Sequence, residues 1–348
     1  MPSTPPIPRS LQFALFLVGC LWLFAAYLAA TNASLGIAGR FHLVPFQPLL
    51  QQTFFLFLLV LGFSTIQWTA TRHGDLRTTN ALPARATSKQ EWQRGAALGW
   101  GMLLVTVLPM MLVGDLYPQL SLQLNSWTTA AISIATLAVA ALATEVAFRG
   151  YLFTRLIGAL NPVLATTLLS LICALASIDT YSTGRTVLAE FLFGILLSIA
   201  YLRTHALWLG WGLRFGFTAT TAILFGLPMA GKANLSSLVL TNSYGYEWFT
   251  GGLYGPQGSI LFILVTLAAI PLLYRMTREY AWEYTHPEIV SAGYPMDIAP
   301  PAAHTAMEAA AAAAPAPLVQ ILGTTSTNAS TMPVIAEHLQ RESSVREE

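Results

Sequence analysis

The stretch Trp127–Arg155, WTTAAISIATLAVAALATEVAFRGYLFTR, decides what kind of protein this is. It carries no ionisable side chain from Trp127 to Thr144, then Glu145 and Arg149 follow without a break in apolar character. A helix needs about 20 apolar residues to cross the bilayer hydrocarbon, and an ionisable group at its centre costs at least about 2.5–3.5 kcal/mol on insertion scales. The run therefore reads as a membrane span whose two charges are retained for a reason. Their i, i+4 spacing sets them on one helical face with the acid N-terminal to the base, the favourable order for an ion pair. On spacing alone, an internal structural salt bridge accounts for both.

The rest of the chain has the same character. Of its 348 residues 55% are hydrophobic and 9% charged, against roughly 25% charged in an average domain, and one soluble core of this size does not hide so much apolar surface. Runs fit to cross a bilayer lie near Leu11–Ala30, Leu49–Trp68, Gly95–Gly114, Trp127–Arg155, Pro162–Ile178, Thr186–Leu202, Leu207–Leu227 and Gly258–Tyr274. The first is longer than the 7–15 apolar residues of a signal peptide and reads as a retained helix. The expected fold is all-α, a polytopic transmembrane bundle of about eight helices. Residues 1–94 supply two N-terminal helices and a basic cytoplasmic loop, 95–280 the transmembrane core, and 281–348 an Ala/Pro-rich tail with too little apolar content to order itself.

With an even number of crossings both termini share a side. That side collects Arg9, Arg72, Arg77, Arg85, Lys89, Arg94, Arg155, Arg203, Arg275 and Arg278, against Arg40, Arg185 and Lys232 opposite. The asymmetry expects a multi-pass protein of a plasma (inner) membrane with both termini cytoplasmic. The formal charge of +1 excludes a strongly basic nucleic-acid binder. Cys20 and Cys173 sit in apolar runs and suggest neither a disulfide framework nor a zinc cluster. The string Gly251-Gly252-Leu253-Tyr254-Gly255-Pro256 reads as a turn, because no strand precedes it and no Lys-Ser/Thr pair follows as a phosphate-binding loop requires.

Arg214 is the third mid-helix charge, while Asp179, Arg185 and Glu190 fall nearer one interface. Counting from the cytoplasmic helix ends at 1.5 Å per residue, Glu145 lies about 15 Å deep, Ser177 about 22 Å, Arg214 about 10 Å and Thr218 about 16 Å. These depths let the four converge on one intramembrane cavity.

The motif Thr144-Glu145-Val146-Ala147-Phe148-Arg149-Gly150-Tyr151-Leu152-Phe153 resembles the Glu-Glu-x-x-x-Arg helix of the CPBP (Abi, or CAAX-protease-like) intramembrane proteases. The similarity continues through Phe191–Leu197, Tyr201–Thr204 and Leu207–Leu209, then Glu247–Gly252 and Gly255–Gly258, and spans roughly Trp127 to Tyr274. The resemblance implies a site on three helices that binds a metal, or holds and activates a water, for peptide-bond cleavage. Residue by residue, the paired glutamates fall on Thr144 and Glu145, the Phe-x-x-x-His motif on Cys173 to Ser177, and the His-x-x-x-Asn motif on Arg214 to Thr218. Glu145 and Arg149 are thus the catalytic-motif positions retained, and Thr144, Ser177, Arg214 and Thr218 the degenerate ones.

Catalytic zinc takes three ligands from His, Glu, Asp and Cys, where Thr144, Ser177 and Thr218 offer neutral hydroxyls. Arg214 is worse than a vacancy, since guanidinium has five donors and no acceptor and repels a divalent cation. It is expected to turn to Glu145, leaving that carboxylate a poor general base. No metal and no cofactor is expected, zinc being the group if the family chemistry is retained. A substitute set of Glu145, Cys173, Asp179 and His205 does not obviously converge, and Ser177 has no base for a serine mechanism. The expected function is that of a non-catalytic CPBP-like membrane protein, its partners membrane lipids and an anionic lipid or membrane-embedded peptide group drawn by two arginines facing one acid. The alternative is an active endopeptidase of the same type with an atypical metal-dependent or Glu-dependent site. A transporter is the third reading, without visible inverted repeats to support it.

Overall fold

Backbone amides in hydrocarbon must find partners within their own segment, so the apolar runs fold as helices. In the computed structural model, α1 spans Arg9–Arg40, α2 Gln47–Thr71, α3 Leu76–Thr79, α4 Ser88–Val113, α5 Leu124–Glu145, α6 Tyr151–Ala159, α7 Pro162–Ala176, α8 Gly184–Thr204, α9 Trp208–Ala219, α10 Glu247–Thr250 and α11 Ile260–Met276. The structure describes residues 8–71, 76–120, 123–229 and 238–278, all in one compact unit; the expected 281–348 tail and Lys232 lie outside them. Every one of the eight expected spans is helical. The chain is a polytopic helical membrane protein: Arg9–Arg40, Val44–Thr71, Ser88–Val113, Asn125–Ala159 and Gly184–Thr204 are each long and apolar enough to cross a bilayer. Large apolar side chains point outward along them, with Leu21 71% and Leu112 86% exposed, as lipid-facing residues are.

The remaining apolar helices are shorter than the expected crossings. α7 has 15 residues, about 22 Å of rise against about 30 Å of hydrocarbon. It starts sharply because Pro162 occupies its first position and the Asn161 side chain accepts the Leu164 amide at 2.8 Å. α4 begins earlier than expected, at Ser88. The expected single helix across Trp127–Arg155 is continuous but contains a π-helical turn, Val146–Gly150, between α5 and α6. A second π turn, Thr220–Leu224, extends α9. The sequence reading had no strands, yet β1 (Leu116–Leu120) and β2 (Val239–Ser243) pair antiparallel with Leu116 opposite Ser243.

Two buried clusters hold the bundle. One joins α4, α8, α9 and α11 through Leu98, Leu197, Leu213 and the ring group Phe193, Phe217 and Phe262. The other joins α1, α2, α6 and α7 through Phe16, Phe63, Tyr151 and Leu169. The most extensive helix contact is between α4 and α9, and it is made by glycine. A Cβ on Gly95 would lie 2.2 Å from the Leu209 carbonyl oxygen, and one on Gly212 would lie 2.1 Å from that of Trp92. Gly99 and Gly216 meet Leu213 and Ala96 in the same way. Reciprocal Gly-x-x-x-Gly pairs thus bring the two backbones together, the packing that membranes favour where lipid removes a hydrophobic drive.

The 80–87 segment clamps the turn leading into α9. The Ala81 carbonyl accepts the Leu207 amide at 3.0 Å, the Pro83 carbonyl accepts the Trp208 indole at 3.0 Å, and Arg85 donates to the Thr204 carbonyl at 2.7 Å. The Trp211 indole reaches across to the Ala138 carbonyl of α5 at 2.9 Å. These bonds fix the rotation of α9, and so where Arg214 points.

Candidate intramembrane site

Glu145 ends α5 and Arg149 lies in the π turn that follows it, backbone wound wider than an α-helix and a feature often found at functional sites. Glu145 is 1% exposed and Arg149 not at all. Glu145 Oε1 accepts from Arg214 Nε at 2.7 Å and lies 3.6 Å from Arg149 Nη1. The sequence pairing of Glu145 with Arg149 is therefore present but is the looser contact; the close one is with Arg214 on α9. Gly210, one turn earlier on α9, makes room for it, because a Cβ there would stand 3.0 Å from Glu145 Oε2.

Arg149 donates from Nη2 to the Gly194 carbonyl of α8 at 3.2 Å, and its Nε and Nη1 have no hydrogen-bond partner among the described residues. It ties α8 to the π turn and is sealed from any ligand. Arg214 differs. Its side chain is 19% exposed, and its guanidinium lies over the Phe193 ring at 5.5 Å. What exposure it has faces a cavity of about 360 Å³ lined by Thr144, Phe148, Cys173, Ala176, Ser177, Ile178, Asp179, Glu190 and Arg214.

The structure thus brings Thr144, Ser177 and Arg214 around one cavity. Glu145 is packed behind Arg214, and neither Glu145, Arg149 nor Thr218 is among the cavity-lining residues. The expected convergence of Glu145, Ser177, Arg214 and Thr218 on one cavity is therefore only partial. Depth counting fixes height and leaves rotation about each helix axis undetermined. The cavity is also lined by two carboxyls that the sequence set nearer one interface, Asp179 and Glu190. Glu190 accepts from the Tyr254 hydroxyl at a long 3.5 Å. The spare cation of the sequence count is offset, because four charges meet here in addition to Asp179: Glu145, Glu190, Arg149 and Arg214.

Tyr254 was missed as a site residue. It is brought in by a loop only glycine can form: φ is +83° at Gly251, +57° at Gly252 and +103° at Gly255, and a Cβ on Gly251 would lie 1.8 Å from the Gly255 carbonyl oxygen. The loop is a pair of tight turns, as expected. Its glycine spacing was the available signal, since a rigid loop ending in an aromatic residue has something to position.

Whether the residues present fit a catalytic metal can be tested directly. Thr144 Oγ1 donates to the Ala140 carbonyl at 2.8 Å, Ser177 Oγ to the carbonyls of Cys173 and Ala174 at 2.9 and 3.0 Å, and Thr218 Oγ1 to the Arg214 carbonyl at 2.8 Å. All three hydroxyls are turned back on their own helices. The guanidinium beside Glu145 occupies the carboxylate oxygen a metal would share. His205 sits at the opposite end of α8 from Glu190, edge-on to Tyr201, and takes no part. Among the described residues no three His, Cys, Asp or Glu side chains are placed to hold a metal ion. The donor set does not fit zinc.

Fold and site together define a polytopic helical membrane protein with a charged cluster buried between its helices and a polar cavity beside it. A comparison by sequence adds a likeness: residues 126–220 match the family model described as type II CAAX prenyl endopeptidase Rce1-like. The matched stretch runs from α5 to the start of the π turn after α9 and holds Thr144, Glu145, Arg149, Ser177, Arg214 and Thr218. No curated protein and no solved structure matches the chain.

Proposed function

We propose that this chain is a non-catalytic relative of the CAAX prenyl endopeptidases that holds a membrane-embedded peptide segment without cutting it. One observation carries the reading: Arg214 Nε sits 2.7 Å from Glu145 Oε1, so the retained glutamate is committed to a guanidinium that neither gives up a proton nor accepts a metal. A water-activating base needs a carboxylate open to the substrate, and this one is 1% exposed. Peptide is favoured over an anionic lipid by the cavity wall. Arg214 supplies donors, and Glu190 and Asp179 supply acceptors. A peptide group, with one C=O and one N–H, matches both, whereas a phosphate meets two carboxyls. The Lys/Arg asymmetry of the sequence supports the same reading's orientation, both termini cytoplasmic in a plasma (inner) membrane.

The test uses the purified full chain in lipid nanodiscs with a panel of fluorescent hydrophobic peptides, half of them internally quenched. Saturable binding that weakens in Arg214→Leu, with no fluorescence gain from quenched peptides, is the expected result. Turnover that disappears in Glu145→Ala would establish the alternative, an active peptidase with an atypical site. Binding of anionic lipid in place of peptide, lost in the same Arg214 variant, would return the ligand to the phosphate class.

A further inference from the structure

A second cavity, of about 220 Å³, is lined in part by Tyr254, whose hydroxyl donates to Glu190 of the site above. Its wall includes Arg185, Glu247, Ser182, Thr183, Leu253 and Tyr254. Arg185 Nε is sealed from solvent and has no hydrogen-bond partner among the described residues, although a buried guanidinium N–H is costly to leave unmatched. Glu247, in the first turn of α10, is exposed and faces the same cavity. The two opposite charges do not pair with each other, since neither residue is in the ion pairs found among the described residues. A space with a cation on one wall, a separate anion on another and hydroxyls between them is complementary to a small zwitterion.

The rim identifies where that zwitterion comes from. Tyr181 is 48% and Leu253 65% exposed, and beside Glu247 stand Tyr246 and Trp248 with their rings stacked at 6.3 Å. Exposed Tyr and Trp in a membrane protein mark the headgroup level. We propose that this cavity binds the head group of an ethanolamine phospholipid, with the phosphate on Arg185 and the primary ammonium on Glu247. A choline head group carries no N–H for the carboxylate, and a glycerol head group carries no cation, so the site discriminates among the common lipids. The inference is independent of the peptide reading, because it uses none of Glu145, Glu190 or Arg214.

Native mass spectrometry of the full chain, released from detergent containing equal phosphatidylethanolamine, phosphatidylcholine and phosphatidylglycerol, reads the site directly. The wild type is expected to retain phosphatidylethanolamine selectively. Arg185→Ala is expected to lower that retention about tenfold or more, the loss of one charge-assisted contact. Glu247→Gln, at an exposed position where folding is not at stake, is expected to keep phospholipid but to lose the preference for ethanolamine over glycerol head groups. Equal retention of the three lipids by the wild type overturns the proposal, as does an unchanged preference in Glu247→Gln. Displacement of the lipid by glycerophosphoethanolamine at matched concentration would show a soluble ligand and overturn the membrane assignment.

Discussion

Gly99 of α4 lies against the backbone of Leu213 of α9: a Cβ on Gly99 would stand 2.1 Å from the Leu213 carbonyl oxygen. The next residue is Arg214, so a backbone-to-backbone contact of α4 with α9 adjoins the side chain on which the site turns. Gly99→Leu must push α9 away. Overpacking of this kind costs on the order of 2 kcal/mol, a fall of roughly 5 °C in midpoint. A thermal unfolding scan in detergent checks it, and an unchanged midpoint would refute the backbone-contact account.

Removing one member of a buried charge group leaves the others stranded. Glu145→Gln leaves Arg149, wholly buried, with the Gly194 carbonyl as its one hydrogen-bond acceptor among the described residues, and is expected to destabilise the fold by about 3–5 kcal/mol. The double variant Glu145→Gln with Arg214→Met is expected to cost less than the sum of the singles, because the uncompensated cation goes with the acid. Denaturant or steric-trapping titrations of the four proteins give the coupling, and strict additivity would contradict the 2.7 Å contact.

The metal argument predicts a gain. Thr144→Glu, Ser177→His and Arg214→His together restore three ligand-class side chains where hydroxyls and a guanidinium now stand, and the triple variant is expected to bind about one zinc per chain. The wild type, prepared identically, is expected to carry no stoichiometric metal. Elemental analysis of both decides it, and zinc in the wild type that survives dialysis would overturn the reading of Arg214 as a blocking group.

Burial and the neighbouring Glu190 carboxyl push the Tyr254 phenol well above its ordinary value. In the unfolded chain the phenol releases its proton near pH 10, while in the folded chain it retains it. The native state therefore binds the extra proton, and the contribution of Tyr254 to stability, full below about pH 10, declines as the pH rises further. Tyr254→Phe should flatten the alkaline limb of a stability profile. Its effect at pH 7 is expected to stay within about 1 kcal/mol, as the 3.5 Å bond to Glu190 is long. A large loss at neutral pH would mean that the hydroxyl holds the cavity together.

Much of this was legible in the amino-acid order. Apolar runs located the eight expected spans, and Glu145, Arg149 and Arg214 stood out because ionisable groups in hydrocarbon are rare. What the residues did not reveal is rotational. Depth counting placed Thr218 with the site, whereas α9 turns its hydroxyl back onto the Arg214 carbonyl. Glu190, read as nearer one interface, also lines the cavity, a rotation that its position along α8 did not reveal. The missing constraint was readable after all: the Gly95/Gly99 and Gly212/Gly216 spacings state which faces of α4 and α9 meet, and that fixes the azimuth of Arg214. The π turn at Val146–Gly150 was not readable, since no local signal separates it from the α-helix around it.

Arg214 and its acid partner reside on different helices, and this shapes how the chain enters the bilayer. Glu145 and Arg149 arrive on the same rod and neutralise one another as they leave the insertion machinery. α9 is only 12 residues long and carries an arginine and three glycines, so it is a weak candidate for partitioning alone. Its entry is stabilised once α4 and α5 are already lodged to receive it. Biogenesis of this protein is then ordered, with the C-terminal half waiting on the N-terminal half, and shortened chains lacking α4 should stall with α9 outside the lipid.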